Sequence, residues 1–277
     1  MSDGPVRLLA LDLDGTILTP DLRLSPRTRT AVAAALAAGV HVTIATGRMY
    51  RSTLRYALDL SLPGPLICYQ GGYVRDMPAA DGQPGELLLH RTMPAQAALA
   101  AIAWSRANGL DPHVNAGDRL VIERGPQAAA DYERMAGIGA ELVSDIAAAV
   151  DMPVTKVLAV GPPGLPDRLL AAGRAAFTGE LEVTVSHPEY LEFMPLGVTK
   201  ATGVAFVAER LGISMVETMA VGDQTNDIEM LREVGLGVAM GDAPAAVRAA
   251  ADVVTSALER DGAAMAIERH VLDGRAP

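Results

Sequence analysis

The sequence predicts an α/β fold: a parallel-sheet core interrupted by an inserted α/β domain. Three observations carry this. Short apolar runs alternate with helical patterns before residue 70 and again from Thr199 onward, the βαβ pattern of a parallel sheet. Between those stretches the alternation breaks at a segment rich in Pro, Gly and Asp, Arg75 to Gly85. Polar residues gather directly after predicted strands and at helix starts, where open α/β sheets bind ligands.

Taken in order, Val6–Leu11 reads as a buried strand. Ser25-Pro26 opens a helix, with an N-cap and a proline at the first helical position, and Gly39 closes it. Val40–Ala45 is the second strand, a helix follows near Tyr50–Leu60, and Pro65–Tyr69 is a third strand expected to extend the parallel sheet. After the Arg75–Gly85 linker come a short strand at Leu87–His90 and a helix from Pro94 to Asn108, whose Leu99, Ile102 and Trp104 read as core of the insert. Strands near Asp111–Asn115, Arg119–Glu123, Val154–Val160, Leu181–Ser186 and Tyr190–Met194, with a helix around Leu165–Phe177, complete a second α+β unit. Pro195-Leu196-Gly197 reads as the return linker. The core then resumes with a helix from Thr199 to Arg210, a strand at Thr218–Val221, a helix at Asp227–Glu233 and a strand at Val238–Met240; Pro244–Ala251 (helix), Asp252–Val254 (strand) and Gly262–Val271 (helix) finish it. The expected domains are residues 1–82 and 195–277 for the core and 83–194 for the insert.

Composition narrows the classes. Half of the 277 residues are apolar and a fifth are charged, as in folded globular proteins. The net charge is −10 and there is no basic patch, which argues against nucleic acid as a partner. The lone cysteine, Cys68, lies in a predicted strand and has no partner for an internal disulfide, so a reducing compartment fits. The first strand begins too close to Met1 to leave room for a signal peptide, and the longest alanine-rich run, Ala31 to Val40, is far short of the ~20 residues a membrane helix needs. The expectation is a cytoplasmic protein with no membrane partner and an open oligomeric state.

Four segments carry candidate chemistry: Asp12 and Asp14 in Leu11-Asp12-Leu13-Asp14-Gly15-Thr16, Thr46-Gly47-Arg48, Thr199-Lys200, and Gly222-Asp223-Gln224-Thr225-Asn226-Asp227. Each has a plainer reading. Asp-x-Asp-Gly and Thr-Gly are ordinary turns, Asn226 with Glu229 fits a helix N-cap, and Asp223 and Asp227 suit a helix N-terminus. Lys200 resists such a reading. A cation at a helix N-terminus is disfavoured by roughly 0.3–1 kcal/mol. With only two lysines in the chain, Lys156 and Lys200, that placement points to a nearby anion.

Together these segments resemble the haloacid dehalogenase (HAD) superfamily in its Cof-like phosphatase arrangement. Ile67-Cys68-Tyr69-Gln70-Gly71, Gly237-Val238-Ala239-Met240-Gly241-Asp242-Ala243 and Asp261-Gly262 extend the match in the same order. The resemblance implies a Rossmann-like core with an inserted α/β cap that shapes the substrate pocket. It implies an enzyme that hydrolyses phosphomonoesters of small metabolites such as sugar phosphates, phosphorylated cofactors or nucleotides. Asp12 would be the nucleophile that forms an aspartyl-phosphate, and Asp14 the general acid and then base. Mg²⁺ would be held by Asp12, the main-chain carbonyl of Asp14 and Asp223, with Asp227 behind them. Leu13 and Gly47 (through their amides), Thr46, Lys200 and Asn226 would hold the phosphoryl oxygens. Four carboxylates against one ammonium would repel a phosphate dianion, which argues for the metal.

Two alternatives share these residues: a hexose phosphomutase of the same fold, and a non-catalytic sensor of a phosphorylated ligand. The chain departs from the Cof-like pattern at Gln70 and Asp242, both usually Asn. The expectations there are a reshaped pocket for Gln70, and for Asp242 either added charge near the site or a cap on the helix at Pro244. In the insert, His113, His187 and Lys156 are weak substrate-contact candidates. Surface or loop packing is the simpler reading for the histidines, and a solvated strand face for Lys156.

Overall fold

A computed structural model describes residues 5–123 and 139–273. The chain divides into two compact units: Met1–Gly47 with Thr53–Leu88 and Thr199–Pro277, and Arg48–Ser52 with Leu89–Val198. The cuts fall after Leu88 and Val198, a few residues beyond the expected boundaries at 82 and 194. Among the described residues no helix is long and apolar enough to cross a membrane.

The first unit begins with β1 (Leu8–Leu11), all four residues of which are buried. Burial of each leucine there is worth roughly 1.5–3 kcal/mol. Helix α1 (Pro26–Ala37) starts where Ser25 accepts the Thr28 amide at 3.0 Å, as the sequence predicts. It is followed by β2 (His41–Ile44), α2 (Tyr50–Asp59), β3 (Leu66–Cys68), β4 (Tyr73–Arg75) and β5 (Leu87–His90).

The third strand does not extend the parallel sheet as expected. A single bridge, Ala45 to Ile67, links it in parallel to the chain beyond β2. Its ladder is antiparallel to β4, in a three-stranded sheet ordered β3-β4-β5. The cause is local. Tyr69 and Gln70 take left-handed backbones (φ 50° and 57°) and turn the chain back at once. The segment read as a linker therefore begins as a strand, and its loop is closed by the Asp76 amide on the Glu86 carbonyl at 3.0 Å.

Among the described residues the second unit is a six-stranded sheet with two α-helices. Its elements are α3 (Ala95–Ala107), β6 (Asp111–Ala116), β7 (Arg119–Glu123), β8 (Glu141–Val143), β9 (Val154–Val160), α4 (Leu165–Ala176), β10 (Leu181–His187) and β11 (Tyr190–Pro195). The order is β10-β11-β9-β6-β7-β8, antiparallel except for β7 and β8. Its core joins Ile102 of α3 to Val114, Val157, Leu191 and Phe193, which line one face of the sheet. Trp104, Phe177 and Phe193 meet edge to face, with centroids 5.2–6.3 Å apart. Leu99, expected in that core, is 43% exposed. The centre of the other sheet face is also buried. His113, Asn115, Lys156 and Glu192 on it are buried, and Lys156 donates to Glu192 at 3.0 Å.

The chain then returns to the first unit with α5 (Lys200–Leu211), β12 (Thr218–Gly222), α6 (Ile228–Glu233), β13 (Leu236–Ala239), α7 (Ala245–Ala250), β14 (Val253–Val254) and α8 (Gly262–Ile267). The parallel sheet is ordered β14-β13-β12-β1-β2. β1 thus lies between β2, which follows it, and β12, which arrives after the whole second unit. This is a topological switch point, where α/β sheets open a crevice beyond their strand ends. The register pairs Leu11 with both Ile44 and Val221, so Asp12, Ala45 and Gly222 stand at one level at the strand ends.

Candidate active site

The site residues lie within the first unit, on loops that leave aligned strand ends and, for Lys200, at a helix start. Asp12 follows β1 directly and is 4% exposed, its amide bonded to the Val221 carbonyl at 3.0 Å. The Leu13 carbonyl accepts the amides of Thr16, Ile17 and Leu18, which folds the chain into a turn and leaves the Asp14 side chain exposed. Gly15 (φ 79°) is needed at this turn. A Cβ there would lie 2.3 Å from Asp223 Oδ2.

Lys200 is the first residue of α5, whose N-cap Thr199 exchanges hydrogen bonds with Thr202. Side chains in the first turn of a helix point back past its N-terminus. Lys200 Nζ, 1% exposed, reaches Asp12 Oδ1 at 2.7 Å and Asp227 Oδ1 at 2.6 Å. The cation at a helix N-terminus therefore has two carboxylates as partners. Asp227 is fully buried, and its Oδ2 accepts the amides of Asp223 and Gln224, each at 2.9 Å. Asp223 accepts from Thr16 Oγ1 at 2.8 Å and from Gln224 Nε2 at 2.9 Å.

The charges are unbalanced. Asp12, Asp223 and Asp227 bring carboxylate oxygens within 4.8 Å of one another. Burial holds the Asp12 carboxyl well above its usual range; Lys200 opposes this, and Asp227 and Asp223 add to it. Burial, with Asp227 beside it, pushes Asp223 up to about 6. Burial would lower Lys200, but Asp12 and Asp227 outweigh it and hold the ammonium above its ordinary value. Three buried acids around one ammonium suit a hard divalent cation, which takes oxygen ligands and offsets the repulsion. The Asp14 carboxylate is not part of that cluster; its expected contribution is a main-chain carbonyl.

Thr46 is 1% exposed, with its amide on the Ile67 carbonyl at 2.9 Å, and Gly47 follows it, half-buried. Asn226 does not cap a helix: its Nδ2 donates to Gln70 Oε1 at 3.0 Å. Asp242 does not cap the helix after Pro244 either. It is exposed, α7 has no side-chain cap, and the Asp242 carboxylate accepts the Leu258 amide at 3.4 Å. Sequence reasoning gave no role to Thr16 or Gln224, both of which hold Asp223. Thr16 lies in the Asp-x-Asp-Gly-Thr segment, a signal available from the start, whereas only the tertiary fold reveals Gln224.

The second-unit candidates fall elsewhere. Lys156 is in the buried pair with Glu192, whose Oε1 also accepts from Ser186 at 2.7 Å, so the solvated-face reading fails. His113 is buried, its Nε2 3.3 Å from Asp111 Oδ2, and His187 is exposed beside the Tyr190 ring.

Comparison with known proteins agrees with this architecture. A family model described as haloacid dehalogenase-like hydrolase matches residues 9–267. The chain is 32% identical to a 5-amino-6-(5-phospho-D-ribitylamino)uracil phosphatase of Bacillus subtilis, over 98% of each chain. It is 29% identical to a pyridoxal phosphate phosphatase of Escherichia coli, over 96% of this chain and 99% of that one. Among solved structures, a HAD subclass IIB sugar phosphatase superposes with a TM-score of 0.80 at 26% identity, covering 95% of this chain and 98% of the other.

Proposed function

The chain belongs to the haloacid dehalogenase-like hydrolase family, as one of its phosphatases, and we propose that it hydrolyses monoesters of small phosphorylated metabolites through an aspartyl-phosphate on Asp12. The observation that carries this reading is the cluster of Asp12, Asp223 and Asp227 around the buried ammonium of Lys200, at aligned strand ends. Relatives named for a ribitylaminouracil phosphate, pyridoxal phosphate and a sugar phosphate support a small, soluble leaving group.

In this mechanism Asp12 attacks phosphorus while the ester oxygen leaves with a proton from Asp14. The exposure of Asp14 suits a group that must exchange protons with substrate and water. Asp14 then takes a proton from water, which attacks the aspartyl-phosphate, regenerates Asp12 and releases phosphate. Lys200 holds the Asp12 carboxylate at Oδ1 and adds positive charge where the phosphoryl oxygens gather. Thr46, Asn226 and the amides of Leu13 and Gly47 complete the set of donors. Mg²⁺, held by Asp12, the Asp14 carbonyl and Asp223 with Asp227 behind, would supply charge balance for a dianionic substrate. Asp227, which already accepts the Lys200 ammonium and two main-chain amides, suits the outer position.

The test is phosphate release from a panel of phosphorylated sugars, cofactors and nucleotides, with Asp12→Ala as the control. Release from several monoesters that requires Asp12 supports the reading. Release that survives Asp12→Ala, or isomerisation of a hexose phosphate without release, overturns it.

A further inference from the structure

Gln70 connects two loops that carry proposed phosphoryl-binding groups. Its amide donates to the Thr46 carbonyl at 3.0 Å, and its side chain is buried. The tip of that side chain lies against Gly47, where a Cβ would come within 2.5 Å of Gln70 Nε2. Gln70 Oε1 accepts from Asn226 Nδ2, on the loop beyond β12 and 156 residues away in sequence. The backbone that aims this side chain is left-handed at two successive non-glycine residues, Tyr69 and Gln70. Such backbones persist where the surroundings impose them, and they cluster at functional sites.

Asn226 depends on this contact. Its Oδ1 is buried without a hydrogen-bond partner among the described residues, so the bond to Gln70 is what fixes the carboxamide. The two N–H groups of a carboxamide share one plane. Anchoring one of them fixes the direction of the other.

We propose that Gln70 is a positioning residue: through Asn226 Nδ2 it aims the remaining Asn226 N–H at the phosphoryl group and braces it against the Thr46–Gly47 loop. This rests on the reading of Asn226 as a phosphoryl-binding group. Gln70 acts through its neighbour and does not itself touch the reacting atoms.

The experiment is a double-mutant cycle on the full chain with Mg²⁺, combining Gln70→Met with Asn226→Ala. Methionine keeps the length and removes the acceptor. The readouts are kcat/KM for p-nitrophenyl phosphate and the affinity for inorganic phosphate. Gln70→Met is expected to weaken both by about tenfold, the scale of one oriented hydrogen bond. In the Asn226→Ala background it is expected to have no further effect. Gln70→Gly, which relieves the left-handed backbone, should behave like Gln70→Met if the longer variant folds poorly. Unchanged constants in Gln70→Met, or losses that multiply in the double variant, overturn the proposal. A wild-type chain that binds phosphate but releases it from no ester overturns the phosphatase reading alone; the phosphate-affinity cycle then still decides the role of Gln70.

Discussion

The two lysines of this chain are both buried and both ion-paired, one in each unit, and their surroundings differ. Among the described residues, Lys156 pairs with Glu192, which also accepts from Ser186, and the charges of that pair offset each other. Lys200 faces Asp12 and Asp227, with Asp223 beside them, and the group carries excess negative charge. A pair of opposite charges inside a sheet calls for no added cation. An unbalanced cluster at strand ends is incomplete until something positive joins it. On the proposed function, this contrast tells a structural ion pair from a reactive one where burial does not, because both lysines are nearly inaccessible.

The most severe test of this contrast is to remove each ammonium. Lys200→Met should lower kcat/KM by roughly a hundredfold to a thousandfold, the scale of losing one preorganised charge partner in a transition state. Lys156→Met should leave kcat for p-nitrophenyl phosphate within about twofold. It should nevertheless destabilise the chain by about 3–5 kcal/mol in urea unfolding, because Glu192 is left buried without its cation. Equal activity losses in the two variants would erase the distinction.

A double substitution sharpens it. Lys156→Met with Glu192→Leu removes the whole pair and should recover most of the stability lost in Lys156→Met, since replacing a buried pair by apolar groups is often neutral. No such recovery is expected on pairing Lys200→Met with Asp12→Leu, where Asp223 and Asp227 remain.

Metal and pH address the imbalance directly. The Asp223 carboxyl is raised from 3.8 to about 6 in the folded chain, so the folded state holds its proton more tightly than the unfolded state does. Its favourable contribution is fully present below pH 3.8 and is lost as pH rises through about 6. The expected outcome in chelator is a falling Tm across that window. Added Mg²⁺ should raise Tm most above pH 6, by an amount on the order of 2 kcal/mol in stability. A Tm that responds equally to Mg²⁺ at pH 4.5 and pH 7.5, or full turnover in excess chelator, would contradict the assignment. The smallest effect is expected at Asp242. Asp242→Asn should change stability by less than about 0.5 kcal/mol, since the side chain is exposed and its one contact is long.

Much of the first unit was legible because its signals are local. The apolar run of β1, the Ser25-Pro26 helix start and the misplaced cation at Lys200 each announce themselves within a few residues. The differences at Lys156 and Asn226 come from partners distant in sequence, and those at Leu99 and the third strand from local geometry. On sequence alone Lys156 reads as solvated, because a strand carrying polar residues on one face normally turns that face to water, whereas the centre of that face is buried here. Leu99 was read as core from its type, yet it lies on the exposed side of α3. Asn226 fits an N-cap pattern, and only the fold brings Gln70 to it. The third strand was placed in the parallel sheet because the turn at Tyr69 and Gln70 uses left-handed backbone at residues that do not advertise it.

The position of β1 between β2 and β12 bears on how the protein is made. β1 is entirely apolar, and one of its two neighbours, β12, begins at Thr218, after every residue of the second unit has been synthesised. Until then the nascent chain carries an open hydrophobic strand edge, the kind of surface that invites pairing with other chains. The bond between Lys200 and Asp12 spans 188 residues, so the groups that define the site meet only late in folding. Truncated or slowly translated chains should therefore aggregate through β1 before they acquire any activity.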